Sequence, residues 1–283
     1  MTSNFVVVPQ WQGSGSARAM RLVDGAESIR QQLPKAATHL VEAPLEAGDA
    51  EGTGILRYSS IRLVRERLQR QLSELEGTPI VVGGDCGVEY GAIEHAARSG
   101  RVVLLWADAH ADLNSPESSP SGAFHGMVLR ALIDDGIVDA ADVLLLGVRD
   151  LDDAEAEFID ARSMRRVSAD EVGNAVAERA AAAREAGHEP VLYAHVDLDV
   201  LDPAVFAGVG FPAPFGLDLS SLTQAVADAR AALALAGAGL TEYAPAAVDA
   251  VTDDAESASD DDDALDASDD LSAILRIVAA LSR

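Results

Sequence analysis

The sequence predicts a three-layer α/β fold, with helices on both faces of a central, mostly parallel sheet. Three observations point there. Short β-branched runs alternate with longer Ala-, Leu- and Arg-rich stretches, the pattern of repeated strand–helix units. Strand runs such as Val102-Val-Leu-Leu-Trp106 are apolar throughout, as strands covered on both faces are. The 283 residues, 48% of them hydrophobic, are enough for one sizeable core.

In chain order, Phe5–Val8 is the first expected strand and Ala17–Leu33 the first helix. His39–Glu42 is a strand, and Ser60–Leu75 a helix with Ser60 at an N-cap position. Pro79–Val82 (strand), Val88–Arg98 (helix), Arg101–Trp106 (strand) and Val143–Gly147 (strand) follow. Ala169–Ala186 reads as a helix capped at Ala169-Asp170, and Val191–Val196 as a strand. Ser220–Leu235 is a helix capped at Ser220-Ser221, with a weak strand near Leu240. Asp249–Asp270 is rich in Asp, Ser and Ala and is expected to be a solvated loop. An amphipathic helix, Leu271–Leu281, closes the chain. With no internal repeat and no linker, residues 1–283 are expected to form a single domain.

The net charge of −26 comes from 47 acidic and 21 basic residues, of which only Lys35 is a lysine. Nucleic acid is excluded as a partner, because phosphate binding needs basic patches. No apolar run approaches the roughly 20 residues that span a bilayer, and the start lacks a basic n-region before an apolar h-region. The expected location is therefore the cytoplasm, away from membranes. Cys86 is the only cysteine, so no intrachain disulfide forms.

The chemistry gathers at two strand ends, where sites form in open α/β sheets. Arg101–Trp106 runs into Asp108-Ala-His110-Ala-Asp112. In extended backbone, residues i, i+2 and i+4 point to one side, so three ligand-type groups converge. Val191–Val196 runs into Asp197-Leu-Asp199-Val-Leu-Asp202-Pro203 and delivers more carboxylates. Four carboxylates and an imidazole cannot crowd together uncompensated. Divalent metal offsets their repulsion, and mostly oxygen ligands suit Mn²⁺ or a similar first-row ion. Shared carboxylates suit two ions about 3.5–4 Å apart that activate a water. Either segment alone is commonly a turn or a cap; both together mark a metal site.

Asp108-Ala-His-Ala-Asp112 and His195-Val-Asp-Leu-Asp-Val-Leu-Asp-Pro203 resemble two signature motifs of the ureohydrolases, the arginase, agmatinase and formimidoylglutamase family. Val82-Gly-Gly-Asp-Cys86 is similar to the family's first motif, and Leu240-Thr-Glu-Tyr-Ala-Pro245 to its last. The resemblance implies an arginase-like fold and two divalent ions, Mn²⁺ by preference. One would be held by Asp108, Asp112, Asp197 and position 86, the other by Asp108, His110, Asp197 and Asp199. Asp108 and Asp197 would bridge. Water would attack a guanidinium-type carbon, Asp112 would be part of the catalytic set, and Glu242 would pair with the cationic substrate. Asp112 through Met127 is similar to the arginase loop. Asn114 and Ser121 there match positions that bind an amino-acid carboxylate, and His125 matches the proton-shuttle histidine. Asp152, with Glu155 nearby, matches a position for the substrate's α-amino group; an N-terminal acidic cluster of a helix is the alternative. A trimer or hexamer is implied by resemblance alone.

Two residues depart from the pattern. Cys86 stands where the first motif ends in histidine, either as a softer ligand favouring Zn²⁺ or as a small buried apolar residue. Ala123 stands where arginases carry an asparagine. L-arginine leads among substrates, formimidoylglutamate, agmatine or another guanidino acid follows, and a catalytically weak binding relative is the third reading. His195 is expected to pack beneath the site, Asp85 and Asp202 to orient ligands or turns, and Trp11, Tyr90 and Trp106 to fill core or rim. His39, His95 and His188 lack ligand spacing. Gly13-Ser-Gly-Ser16 reads as a tight turn after the first strand rather than a phosphate loop, and no serine has the partners of a nucleophile.

Overall fold

The computed structural model describes residues 3–246 and 260–282. Eight strands form one sheet: β1 (Ser3–Val8), β2 (Thr38–Leu40), β3 (Thr78–Gly83), β4 (Arg101–Ala107), β5 (Val143–Leu146), β6 (Arg165–Val167), β7 (Pro190–Asp197) and β8 (Leu235–Thr241). The order is β2-β1-β3-β8-β7-β4-β5-β6, and every strand pair is parallel. Among the described residues, eight α-helices cover it: α1 (Arg21–Gln32), α2 (Tyr58–Ser73), α3 (Glu89–Ala96), α4 (Val128–Asp134), α5 (Asp153–Arg162), α6 (Val172–Glu185), α7 (Leu219–Ala232) and α8 (Asp260–Ser282).

Alternate strand residues feed two cores. Val7, Val82, Leu105 and Leu146 pack with α1, α6, α7 and α8. Val6, Val81, Leu104 and Leu145 pack with α2, α3, α4 and α5. Both faces of the central strands are buried, as the unbroken apolar runs require.

The structure differs from the sequence reading in several places. The weak strand near Leu240 is a full central strand, β8, and it takes Leu235 from the expected helix. Its Leu-Ala-Gly-Ala-Gly start has poor strand propensity, but flanking strands pair with it on both sides. The edge strand β6 and helices α4 and α5 carried too weak a period to be read. Ser60 is not a cap: α2 begins at Tyr58, and the Ser60 hydroxyl donates to the Glu46 carbonyl at 3.2 Å. Helix α6 is preceded by Glu171 rather than Asp170. Asp218, not Ser220, caps α7, accepting from the Ser221 amide at 2.9 Å. Of the expected acidic loop, residues 249–259 lie outside the described residues, and 260–270 are helical. Acidic residues favour the first turn of a helix, which a loop assignment from composition overlooks.

Candidate metal centre and cleft

Four neighbouring strands end side by side at the carboxyl edge. β4 delivers Asp108 and His110, β7 delivers Asp197 and Asp199, β3 leads to Asp85 and Cys86, and β8 to Glu242. Sequence-distant segments thus meet because β3, β8, β7 and β4 are adjacent. Extended backbone ends at Ala107: Ala109 and His110 lie in a bend, and Asp112 has φ +52°.

Asp108, His110 and Asp199 form one donor group, and Cys86, Asp108 and His195 a second, with donor atoms in each within 4.8 Å of one another. Asp108 belongs to both. Cys86, Asp197 and Glu242 form a third. His110 Nδ1 lies 2.9 Å from Asp199 Oδ2 and 3.5 Å from Asp108 Oδ1. Backbone amides aim the carboxylates: His110 N donates to Asp108 Oδ1 (2.7 Å), Asp199 N to Asp197 Oδ1 (2.8 Å) and Ala109 N to Asp199 Oδ1 (3.1 Å). The Cys86 thiol donates to Asp197 Oδ2 at 3.0 Å. Asp112 lies outside these three groups, buried beside them with Oδ2 unpartnered.

The electrostatics show what so much buried charge costs. Burial, then Asp199 and Asp108, push the Asp197 carboxyl well up. Burial and Asp108 raise Asp112 likewise. Burial and Asp108 raise Asp199 to about 6 against contacts from His110. Burial pushes the Cys86 thiol up, with Asp197 adding to it. Burial works against the charged form of Asp108 too, but His110 and His195 outweigh it and hold this carboxyl below its usual range. His195 is driven down by burial, yet Asp108 and Glu89 carry it to about 9.

Divalent cations fit this donor set. Asp108 Oδ2, Asp112 Oδ2 and His195 Nδ1 are buried without a hydrogen-bond partner, and such atoms are costly unless a ligand completes them.

Above the carboxylates, His125 Nδ1 lies 3.3 Å from Glu242 Oε1. Burial lowers the imidazole's pKa, but Glu242 more than offsets it. The Gly15 amide donates to His125 Nε2 at 3.3 Å, a bond only the neutral ring accepts. Glu242 also takes the Cys86 amide at 3.1 Å and has φ +67°, a conformation costing about 1–3 kcal/mol outside glycine. A cavity of ≈ 60 Å³ opens here, lined by Ser14, Ser16, Arg18, Arg21, Val209 and Glu242 among others. Asn114 Nδ2 donates to Asp152 Oδ2 at 2.7 Å. Asp152 also caps α5, with Glu155 closing a capping box, so the helix-terminal reading of this cluster describes its geometry. Ser121 Oγ accepts from the Ala123 amide at 3.2 Å. Ala123 is buried and offers only a methyl group.

Asp85 accepts from Gln10 Nε2 and the Gly13 and Gly87 amides, each at 2.9 Å; it ties the Gly13–Ser16 turn to the first motif. Asp202 accepts from the Ala204 and Gly216 amides and orders a turn. Sequence reasoning missed Glu89 and set His195 aside as packing. Both are wholly buried, and His195 Nε2 faces Asp108 Oδ2 at 3.7 Å. The available signal was strand parity: His195 lies two residues before Asp197 on one strand face.

An all-parallel sheet presenting linked carboxylates and imidazoles at its carboxyl edge is the frame of a ureohydrolase. The chain belongs to the arginase family, whose model matches residues 14–259. An arginase of Staphylococcus aureus is 29% identical over 184 residues, 59% of this chain and 61% of that protein. An arginase of Entamoeba histolytica is 24% identical over 280 residues, 88% of this chain and 92% of that one. The arginase structure from Bacillus caldovelox superposes with a TM-score of 0.76 at 23% identity, covering 99% of this chain and 98% of the other, a likeness of fold.

Proposed function

We propose that the chain is a binuclear metal-dependent hydrolase of guanidino or amidino C–N bonds, converting L-arginine to ornithine and urea. The observation that carries this reading is Asp108, one carboxylate common to two donor groups. Cys86, Asp108, His110, Asp112, Asp197 and Asp199 are the proposed holders of two divalent ions, Mn²⁺ on the family's pattern. When bound, such ions lower the pKa of water and supply the nucleophile.

The chain's own residues do the rest. The Glu242 carboxylate pairs with the planar guanidinium, whose donors match its two oxygens. His125, 3.3 Å from Glu242, passes a proton to the leaving amine. Asn114 and Ser121 take the substrate carboxylate and Asp152 its amino group. Ala123 motivates a second reading, because a buried methyl group leaves a substrate carboxylate one donor short: agmatine, which has no carboxylate, then replaces arginine, while formimidoylglutamate or another guanidino acid would place its carboxylate on other donors. An assembly of three or six copies is proposed from the resemblance and is read by sedimentation velocity.

The test is metal per chain together with product release across arginine, agmatine, formimidoylglutamate and guanidino acids. Two ions per chain and urea from arginine are expected. No turnover of any of these at full metal loading refutes the hydrolase and favours a binding relative.

A further inference from the structure

We propose that His195 is the imidazole donor of the first ion position, standing in for the motif histidine that position 86 lacks, with Glu89 holding its ring from behind. The assignment rests on the two-ion reading above. His195 Nε2 lies 4.0 Å from Cys86 Sγ and 3.7 Å from Asp108 Oδ2, and the three residues form one of the compact donor groups. The ring is wholly buried and stacks on Trp106 with centroids 3.7 Å apart, so its plane is fixed. Its other nitrogen, Nδ1, faces Glu89 Oε1 at 3.7 Å. Carboxylate, imidazole and ion in that order is how metal sites fix a tautomer and raise ligand basicity.

Glu89 has one other polar neighbour, the buried Tyr193 hydroxyl. It is fully buried, and neither carboxylate oxygen has a hydrogen-bond partner. Room for it is made by Gly239 on β8, where a Cβ would fall 1.7 Å from Glu89 Oε1. A carboxylate enclosed in this way and facing Nδ1 fixes which side of the ring it holds and leaves Nε2 turned towards Cys86 and Asp108. Thiolate with imidazole is a softer pair than carboxylates with one imidazole, and it selects Zn²⁺ or Co²⁺ over Mn²⁺. The centre is therefore asymmetric, with a softer position at Cys86 and His195 and a harder one at His110 and Asp199. On loading, Cys86 gives up its thiol proton, and His195 binds as the neutral ring.

The experiment loads the full chain with Co²⁺ and reads ions per chain, the absorption spectrum and X-ray absorption at the cobalt edge. Two ions, a thiolate-to-cobalt charge-transfer band, and one sulfur with two imidazoles across the pair are expected. His195→Gln should leave one ion and remove the band. Glu89→Gln should keep both ions but weaken the first by roughly 10- to 100-fold. Asp199→Asn should release the other ion and leave the band. Two ions sharing a single imidazole in the unaltered chain, or unchanged loading of His195→Gln, overturns the His195 assignment and leaves the two-ion reading standing. An unaltered chain that binds no ion overturns both.

Discussion

Asp108 sets the behaviour of the centre at the residue scale. Because it is common to two donor groups, Asp108→Asn should empty both ion positions, and mass spectrometry of the metal content should fall from two per chain to none. Retention of one ion would contradict its bridging role. His125→Asn should leave ion content intact and lower kcat by roughly 10²–10⁴, the range for a lost general acid; an unchanged rate would remove His125 from the reaction. Asp108, His110, Asp197 and Asp199 were legible as neighbours from the apolar strands that end just before them, although the expected extended alternation gives way there: His110 lies in a bend and Asp199 in a single 3-10 turn, Leu198–Val200, capped by Asp197. Asp112 was legible as a residue but not in its placement, since its left-handed backbone breaks the alternation. Glu89 could not be read at all: it lies on a helix, and only the packing of α3 on β7 and β8 brings it under His195.

Helices and strands show where local signals end. The apolar strands β1, β3, β4 and β7 were readable because burial on both faces leaves continuous hydrophobic runs. β8 was nearly hidden, since it is chosen for smallness rather than propensity: a Cβ at Gly237 would meet the Tyr193 ring at 3.0 Å. β6 was invisible, a three-residue edge strand, Arg-Arg-Val. Capping gives a direct test at this scale. Asp218→Ala removes the acceptor of the Ser221 amide and should lower stability. Denaturant unfolding should then show a lower midpoint with an unchanged slope; an unmoved midpoint would mean that the cap is idle.

Across the whole molecule, charge and protons govern stability. The ordinary carboxyl value is 3.8, and burial, with Asp108 in one case and Glu242 in the other, holds Asp199 and Asp85 at about 6. These groups are raised on folding, so without metal the stability they lend is complete below pH 3.8 and is lost as pH climbs through 6. Ion binding needs Asp199, one of the proposed holders, deprotonated and strengthens over that range. The gap in Tm between metal-loaded and chelator-treated protein should therefore widen from pH 4 to pH 7, worth about 2.7 kcal/mol at a hundredfold excess over Kd. A gap that narrows would reverse the assigned sign. The net charge of −26 adds self-repulsion, so going from about 10 mM to 1 M salt, which shrinks the screening length from about 30 to 3 Å, should raise Tm. At the centre of the sheet, Gly237 and Gly239 share one face of β8 and leave a trough that Tyr193 and Glu89 fill. That trough is a remote dial. Gly239→Ala adds one methyl group, touches no donor atom, and displaces the carboxylate behind His195, so the grip on an ion can be tuned from beneath the floor of the cleft.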